Sequence, residues 1–178
     1  MTSVPSLSTA FTAGQRFRAT DVNTTNEAVN FANTAYVCRV YNDTYQTIGT
    51  GGSPTALVMP KELNDAYSWH STSVNTSYIT PTIAGWYLVT GNVQWTAAAT
   101  GTRRLDAAVN GVAVCTVEEA GSASSATGQS VTTVIYANGS TDFFQLFGYQ
   151  TSGGNLNTTV AATYSYFTVI LLYIHSRW

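Results

Sequence analysis

The chain has 178 residues, of which 44% are hydrophobic, 12% aromatic and only 9% charged, with a formal net charge of -2. That length supports one domain with a real core plus an appendage, the apolar content excludes a disordered chain, and the charge balance excludes nucleic-acid binding, because beyond Arg103-Arg104 no Lys/Arg cluster is present to neutralise a phosphate backbone. Charge far below the ~25% of a typical soluble domain leaves a monomer with poor colloidal stability, so much of the surface is expected to be buried in an assembly.

Residues 1–18 are polar and turn-rich, with Phe11 and Phe17 as isolated anchors, and read as an extended arm. Met1-Thr-Ser-Val-Pro-Ser6 has neither a basic nor an apolar signal region, and no stretch is long enough to span a bilayer. Synthesis in a cytoplasm, without export by the general route, is therefore expected. A helix is predicted over 19–33: Thr20 or Asp21 can cap it, Glu27 follows, and Val22, Ala28, Val29, Ala32 and Ala35 fall roughly at helical spacing. Its many Asn and Thr residues lower its propensity, so it needs a partner to form.

From Tyr36 the character changes to short strands separated by turns. Strands are predicted over 36–41, 55–59 (a short edge strand stopped by Pro60) and 85–95, with a glycine-rich loop at 49–54. In the third of these, Tyr87, Val89, Val93 and Trp95 share a face, with Gly91 among them where something packs closely. Strands at 103–109 and 112–117 flank Asn110-Gly111, the strongest hairpin signal in the chain. Residues 120–129 are small and polar and read as a mobile loop. Strands at 130–136 and 142–150 follow, the second with aromatics on both faces.

The last strand, 162–173, holds the most continuous apolar run. Phe167, Val169 and Leu171 point one way while Ile170 and Leu172 point the other, so both faces must be covered, the second by a neighbouring sheet or a neighbouring subunit. Many short strands with Gly/Asn turns between them indicate an all-β sandwich or jelly roll.

No catalytic constellation is present in the sequence. His70 and His175 have no partner fixed by sequence and read as surface or satisfied histidines. Glu118 and Glu119 are adjacent, so on a strand they point to opposite faces and form no dyad; a solvated turn accounts for them. Gly49-Thr-Gly-Gly52 lacks the lysine and the helix of a phosphate loop, and the scattered aspartates match no dedicated calcium loop. No metal or cofactor is expected, and Cys38 and Cys115 read as two buried thiols rather than a disulfide.

Four pieces, in order, resemble the C1q/TNF-like jelly roll over residues 36–173. They are Pro81-x-x-x-Gly85-x-Tyr87-x-Val89, Val109-Asn-Gly111, Asn138-Gly-Ser-Thr-Asp142-x-Phe144-x-Leu146 and Tyr166-Phe-Thr-Val-Ile-Leu-Leu-Tyr173. Two positions depart from the pattern: Val169 stands where the last strand would carry glycine, and two residues separate Gly139 from Asp142. The segment Phe11-Thr-Ala-Gly-Gln-Arg-Phe-Arg-Ala-Thr-Asp-Val-Asn23 looks like the leader of structural proteins of tailed bacteriophages.

These resemblances imply a homotrimeric jelly-roll head of a phage virion protein, residues 36–178, with residues 1–35 as an arm and helix. Phe11, Phe17, Val22 and Val29 would anchor that arm to a tail or capsid assembly. Phe167, Val169 and Leu171 would lie in the core with Phe144, Leu146, Tyr87 and Val89, leaving Phe143, Phe147, Tyr149, Ile170 and Leu172 to form the subunit interface. Tyr67, Trp69 and His70 are candidates for a ligand surface, with a host cell-wall glycan as ligand, and Trp86 is a further aromatic candidate; the other reading of these aromatics is that they pack under loops. The implied role is non-enzymatic, on the virion surface. It is either host binding from a tail or fibre tip or shell stabilisation as a capsid decoration protein or head fibre; a carbohydrate-active enzyme is disfavoured by the missing carboxylate pair.

Overall fold

The computed structural model describes residue 23, which is helical, and residues 36–174. The chain separates into two compact units, Met1–Ala35 and Tyr36–Trp178. The predicted arm and helix, with Phe11, Phe17, Val22 and Val29, lie outside the described residues except for Asn23, and so does His175.

The second unit is built from antiparallel strands: β1 Val37–Tyr41, β2 Thr47–Ile48, β3 Thr55–Ala56, β4 Lys61–Asp65, β5 Ala84–Trp95, β6 Thr102–Val109, β7 Val112–Ala120, β8 Thr127–Asn138, β9 Phe144–Gln150, β10 Leu156–Asn157 and β11 Tyr166–Ile174. They form a five-stranded sheet in the order β4-β1-β11-β5-β8, a four-stranded sheet in the order β3-β9-β6-β7, and the small pair β10-β2. β5 shows the reason for the layering: its odd-numbered residues from Gly85 to Trp95 are buried, while the even ones are half-buried or exposed. The last described strand, β11, lies in the middle of the larger sheet, paired with β1 on one side and β5 on the other.

The core lies between the two sheets. Tyr87, Val89, Val93, Trp95, Phe167 and Val169 from the larger sheet meet Leu105, Ala107, Phe144 and Leu146 from the smaller. Leu171 is partly buried against the same cluster. The β6–β7 hairpin turns on Asn110 (φ 52) and Gly111 (φ 80), both left-handed, as a two-residue turn of this hand requires.

Several expectations are corrected. The predicted edge strand 55–59 is only two residues long, and β2, β4 and β10 were not predicted. β4 is Lys-Glu-Leu-Asn-Asp, mostly exposed, so no apolar alternation marks it; backbone pairing with β1 defines it. Residues 120–129 are not one mobile loop: β7 runs to Ala120, β8 starts at Thr127, and Thr127 and Gln129 are buried. Glu118 and Glu119 lie exposed on β7, opposite Arg104 and Arg103, rather than in a turn. Cys38 is buried but Cys115 only half so, and both are free.

Arg103-Arg104 does not make a basic patch, because strand alternation splits the pair. Arg103 points inward and is 0% exposed, its guanidinium donating to the carbonyls of Ala98, Thr100 and Thr102. Burial pushes its pKa down. Beside it, Gln129 accepts from Trp95 Nε1 at 2.8 Å and donates to the carbonyls of Arg103 and Val117. This buried polar network is why Gln129 sits inside: each of its hydrogen-bonding atoms is matched.

Candidate functional site

Two surfaces bear on function. The first is the outward face of the larger sheet. Register places Val37, Ile170, Leu88 and Val134 in one row across β1, β11, β5 and β8. The next rows are Arg39, Thr168, Thr90 and Thr132, then Tyr41, Tyr166, Asn92 and Ser130, while Trp86 pairs with Tyr136 at the other end. Arg39 is the one charged residue in the rows across β1, β11, β5 and β8, with Lys61 of β4 beside Tyr41 at the sheet edge, and the Arg39 guanidinium lies over the Tyr166 ring at 4.6 Å. Hydroxyls and amides satisfy each other across strands, as in Thr90 with Thr132 at 2.9 Å and Asn92 with Ser130 at 2.7 Å. Trp86, Val134 and Leu172 are 44%, 49% and 54% exposed, Leu172 because a bulge between Leu171 and Tyr173 takes it out of the pairing. A contiguous apolar row on a nearly uncharged face is the signature of an interaction surface. Arg39 Nε and Thr168 Oγ1, neighbours in register on this face, are buried without a hydrogen-bond partner.

Of the five predicted interface residues, only Ile170 and Leu172 are on β11. Phe147 and Tyr149 project from β9 on the outer side of the other sheet, and Phe143, just before β9, is half-buried and stacked on Tyr78 at 4.2 Å. The two groups therefore do not share a surface, since the core lies between their sheets.

The second surface is the 65–80 segment. The Asp65 carboxylate accepts hydrogen bonds from the backbone N–H groups of Trp69 and His70, both at 2.9 Å, which turns the loop and directs Trp69 inward. Trp69 is 2% exposed, donates to Thr82 Oγ1 at 3.1 Å, and meets Tyr87 edge-on at 5.6 Å. Tyr67 is half-buried, stacked on Tyr36 at 4.3 Å and tilted against Trp69 at 5.6 Å. The His70 side chain is 1% exposed, with Nδ1 2.9 Å from Glu62 Oε1 and Nε2 3.2 Å from the Thr76 carbonyl. The side chains of Trp69 and His70 are thus largely interior, each polar atom with an internal partner, and they contribute to a ligand surface only as part of the wall of a recess. Tyr67 is engaged by rings on both sides. A recess of about 290 Å3 remains between residues 68–71 and Val74, Asn75, Tyr78 and Thr80. Trp69 and His70 form part of its wall, which is polar and apolar in about equal share.

Burial sets the titration of the deepest groups. The Cys38 thiol is pushed far up by burial first and the nearby Asp65 charge second, which makes it a poor nucleophile. Burial likewise pushes the Tyr87 hydroxyl far up, partly opposed by its bond to the Ile83 carbonyl at 2.5 Å. No group of three or more metal-ligating side chains occurs among the described residues.

No protein-family model matches the chain, and no curated protein sequence matches it significantly. Solved structures do. Murine APRIL at pH 5.0 superposes with a TM-score of 0.59 at 7% identity, over 78% of this chain and 100% of that one. Eiger TNF from S. frugiperda gives 0.57 at 9% identity over 80% and 96%. The globular domain of zebrafish complement 1qA gives 0.54 at 16% identity over 78% and 98%. With two antiparallel sheets in the order described, these likenesses show that the chain has a C1q/TNF-like jelly-roll fold.

Proposed function

We propose that this chain is a non-enzymatic structural protein of a bacteriophage virion: a homotrimeric jelly-roll head, made in the host cytoplasm and displayed on the particle surface. The observation that supports the assembly is the apolar row Val37, Ile170, Leu88 and Val134 on the sparsely charged outer face of the larger sheet, together with the 9% charge of the whole chain. The phage assignment is supported by the likeness of residues 11–23 to leaders of tailed-phage structural proteins, and residues 1–35 would attach the head to a tail or capsid. A tail or fibre-tip position would serve host binding, with a cell-wall glycan as the ligand. Trp69 and His70 are largely buried, which leaves less aromatic surface for a glycan and supports the second position, a capsid decoration protein or head fibre that stabilises the shell. Gold-labelled antibody against the purified protein, applied to intact particles, tests both: label on the tail tip supports the first, label over the capsid the second, and unlabelled particles overturn the virion assignment.

A further inference from the structure

The outer face of the four-stranded sheet carries a second recess, of about 170 Å3, with Pro54 and Phe147 on one side, Gly111 and Ala113 on the other, and Arg104 and Asp106 between them. Register accounts for the grouping. β6 presents Arg104 and Asp106 opposite Tyr149 and Phe147 of β9 and Glu118 and Thr116 of β7.

Asp106 is 1% exposed although it lies on a sheet's outward side. Its Oδ1 accepts from Thr116 Oγ1 at 2.7 Å, and its Oδ2 accepts from Arg104 Nε at 3.2 Å with Nη2 at 3.0 Å. The Arg104 guanidinium is held over the Tyr149 ring at 4.9 Å. A carboxylate has roughly four lone-pair sites and a guanidinium five N–H donors, so about one acceptor on Asp106 and three donors on Arg104 stay uncommitted. Gln145, two residues before Phe147 on the outward side of β9, is 4% exposed. Its Oε1 stands 4.0 Å from where a Cβ on Gly111 would be, at the wall of the recess.

The charges select the ligand. Arg104 is neutralised by Asp106, and Glu118 faces it from β7, so the recess offers no net positive charge to an anion. Phe147 and Pro54 offer an apolar wall, against which a flat carbon face packs. The volume lies below the ~300 Å3 lower bound of drug-sized pockets, so it accommodates one small unit. We propose that this recess is a saccharide subsite that takes one neutral sugar ring, its hydroxyls on Asp106, Arg104 and Gln145 and its apolar face on Phe147. The proposal deepens the host-glycan part of the reading above and moves the site to a different sheet.

The test uses the purified full chain and saturation-transfer NMR with glucose, galactose, mannose, N-acetylglucosamine and rhamnose at millimolar concentration. Transfer to at least one sugar is expected, weakened about tenfold or more in Phe147→Ala and in Gln145→Leu. Val74→Ala, at the other recess, should leave it unchanged. No transfer from any of the five sugars overturns the proposal. So does transfer that survives both Phe147→Ala and Gln145→Leu, or binding of inorganic phosphate in place of sugar. Sugar binding by a protein absent from virions would refute only the virion reading, and a virion protein that binds none of the five would refute only this site.

Discussion

Gly91 of β5 and Leu146 of β9 meet across the sandwich with no room for a methyl group: a Cβ on Gly91 would lie 2.4 Å from Leu146 Cδ1 and 3.0 Å from its Cγ. Leu146 is fully buried, so it has nowhere to retreat. Gly91→Ala should therefore destabilise the domain by about 1–3 kcal/mol through overpacking. Leu146→Ala alone should cost about 2–5 kcal/mol. The double variant should lose clearly less than the sum, because each change relieves the other, and denaturant unfolding of all four proteins measures the coupling. Strict additivity would show that the two residues do not press on each other.

Cys38 and Tyr87 give the fold a defined alkaline limit. Burial raises both groups, so the folded state keeps protons that the unfolded chain releases first. Their contribution is complete below the unfolded values, about 8.5 for a thiol and 10 for a phenol, and is lost as pH rises past them, by up to about 1.4 kcal/mol per pH unit for each group. Melting temperature should fall above about pH 8.5 and more steeply above pH 10. Cys38→Ala should lower stability overall but flatten the first part of that decline. Identical slopes in the two proteins between pH 8.5 and 10 would refute the assignment to Cys38.

How much of this was legible in the sequence depends on whether a residue's fate is set locally. The inward set Phe167 and Val169, and the Asn110-Gly111 turn, follow from alternation and from left-handed backbone, both local. β4 was not legible, because its exposed Lys61-Glu-Leu-Asn-Asp65 is a strand only by pairing with β1. Alternation also told which face of β9 and of β11 was outward. It could not tell that these strands belong to different sheets, and so Phe147 was grouped with Ile170. Trp69 sits among polar residues that suggest exposure; the Asp65 carboxylate, four residues earlier, is what turns it inward. Gln129 is buried by its bonds to Trp95 and Arg103, contacts that span 34 and 26 residues of sequence.

Trp69 links the 65–80 segment to the core, through Tyr87 and onward to Phe144, whose rings are also 5.6 Å apart. Trp69→Ala should cost about 3–5 kcal/mol, seen as a sharp drop in melting temperature. Trp69→Phe keeps most of the ring contact and loses the bond to Thr82, at about 1 kcal/mol or somewhat more if the hydroxyl is left unsatisfied. A wild-type melting temperature in Trp69→Ala would place the ring outside the core.

The assembly itself is tested on the row Val37, Ile170, Leu88 and Val134. Val134 is 49% exposed in the single chain, so Val134→Asp should leave the fold of one subunit intact. In a trimer that covers the row, the same carboxylate becomes a buried charge with no partner, at a cost of about 3–5 kcal/mol per site. Light scattering of the wild-type chain should give about three times its 19.0 kDa mass. Val134→Asp and Ile170→Asp should give one chain mass, with Val134→Asp keeping native near-UV circular dichroism. Val114→Asp, on the edge strand of the other sheet and 48% exposed, adds the same charge away from the row and should still assemble. A wild-type monomer at micromolar concentration would sink the trimer, and an intact trimer in Val134→Asp would move the interface off this face, because no desolvated contact there could absorb three added charges.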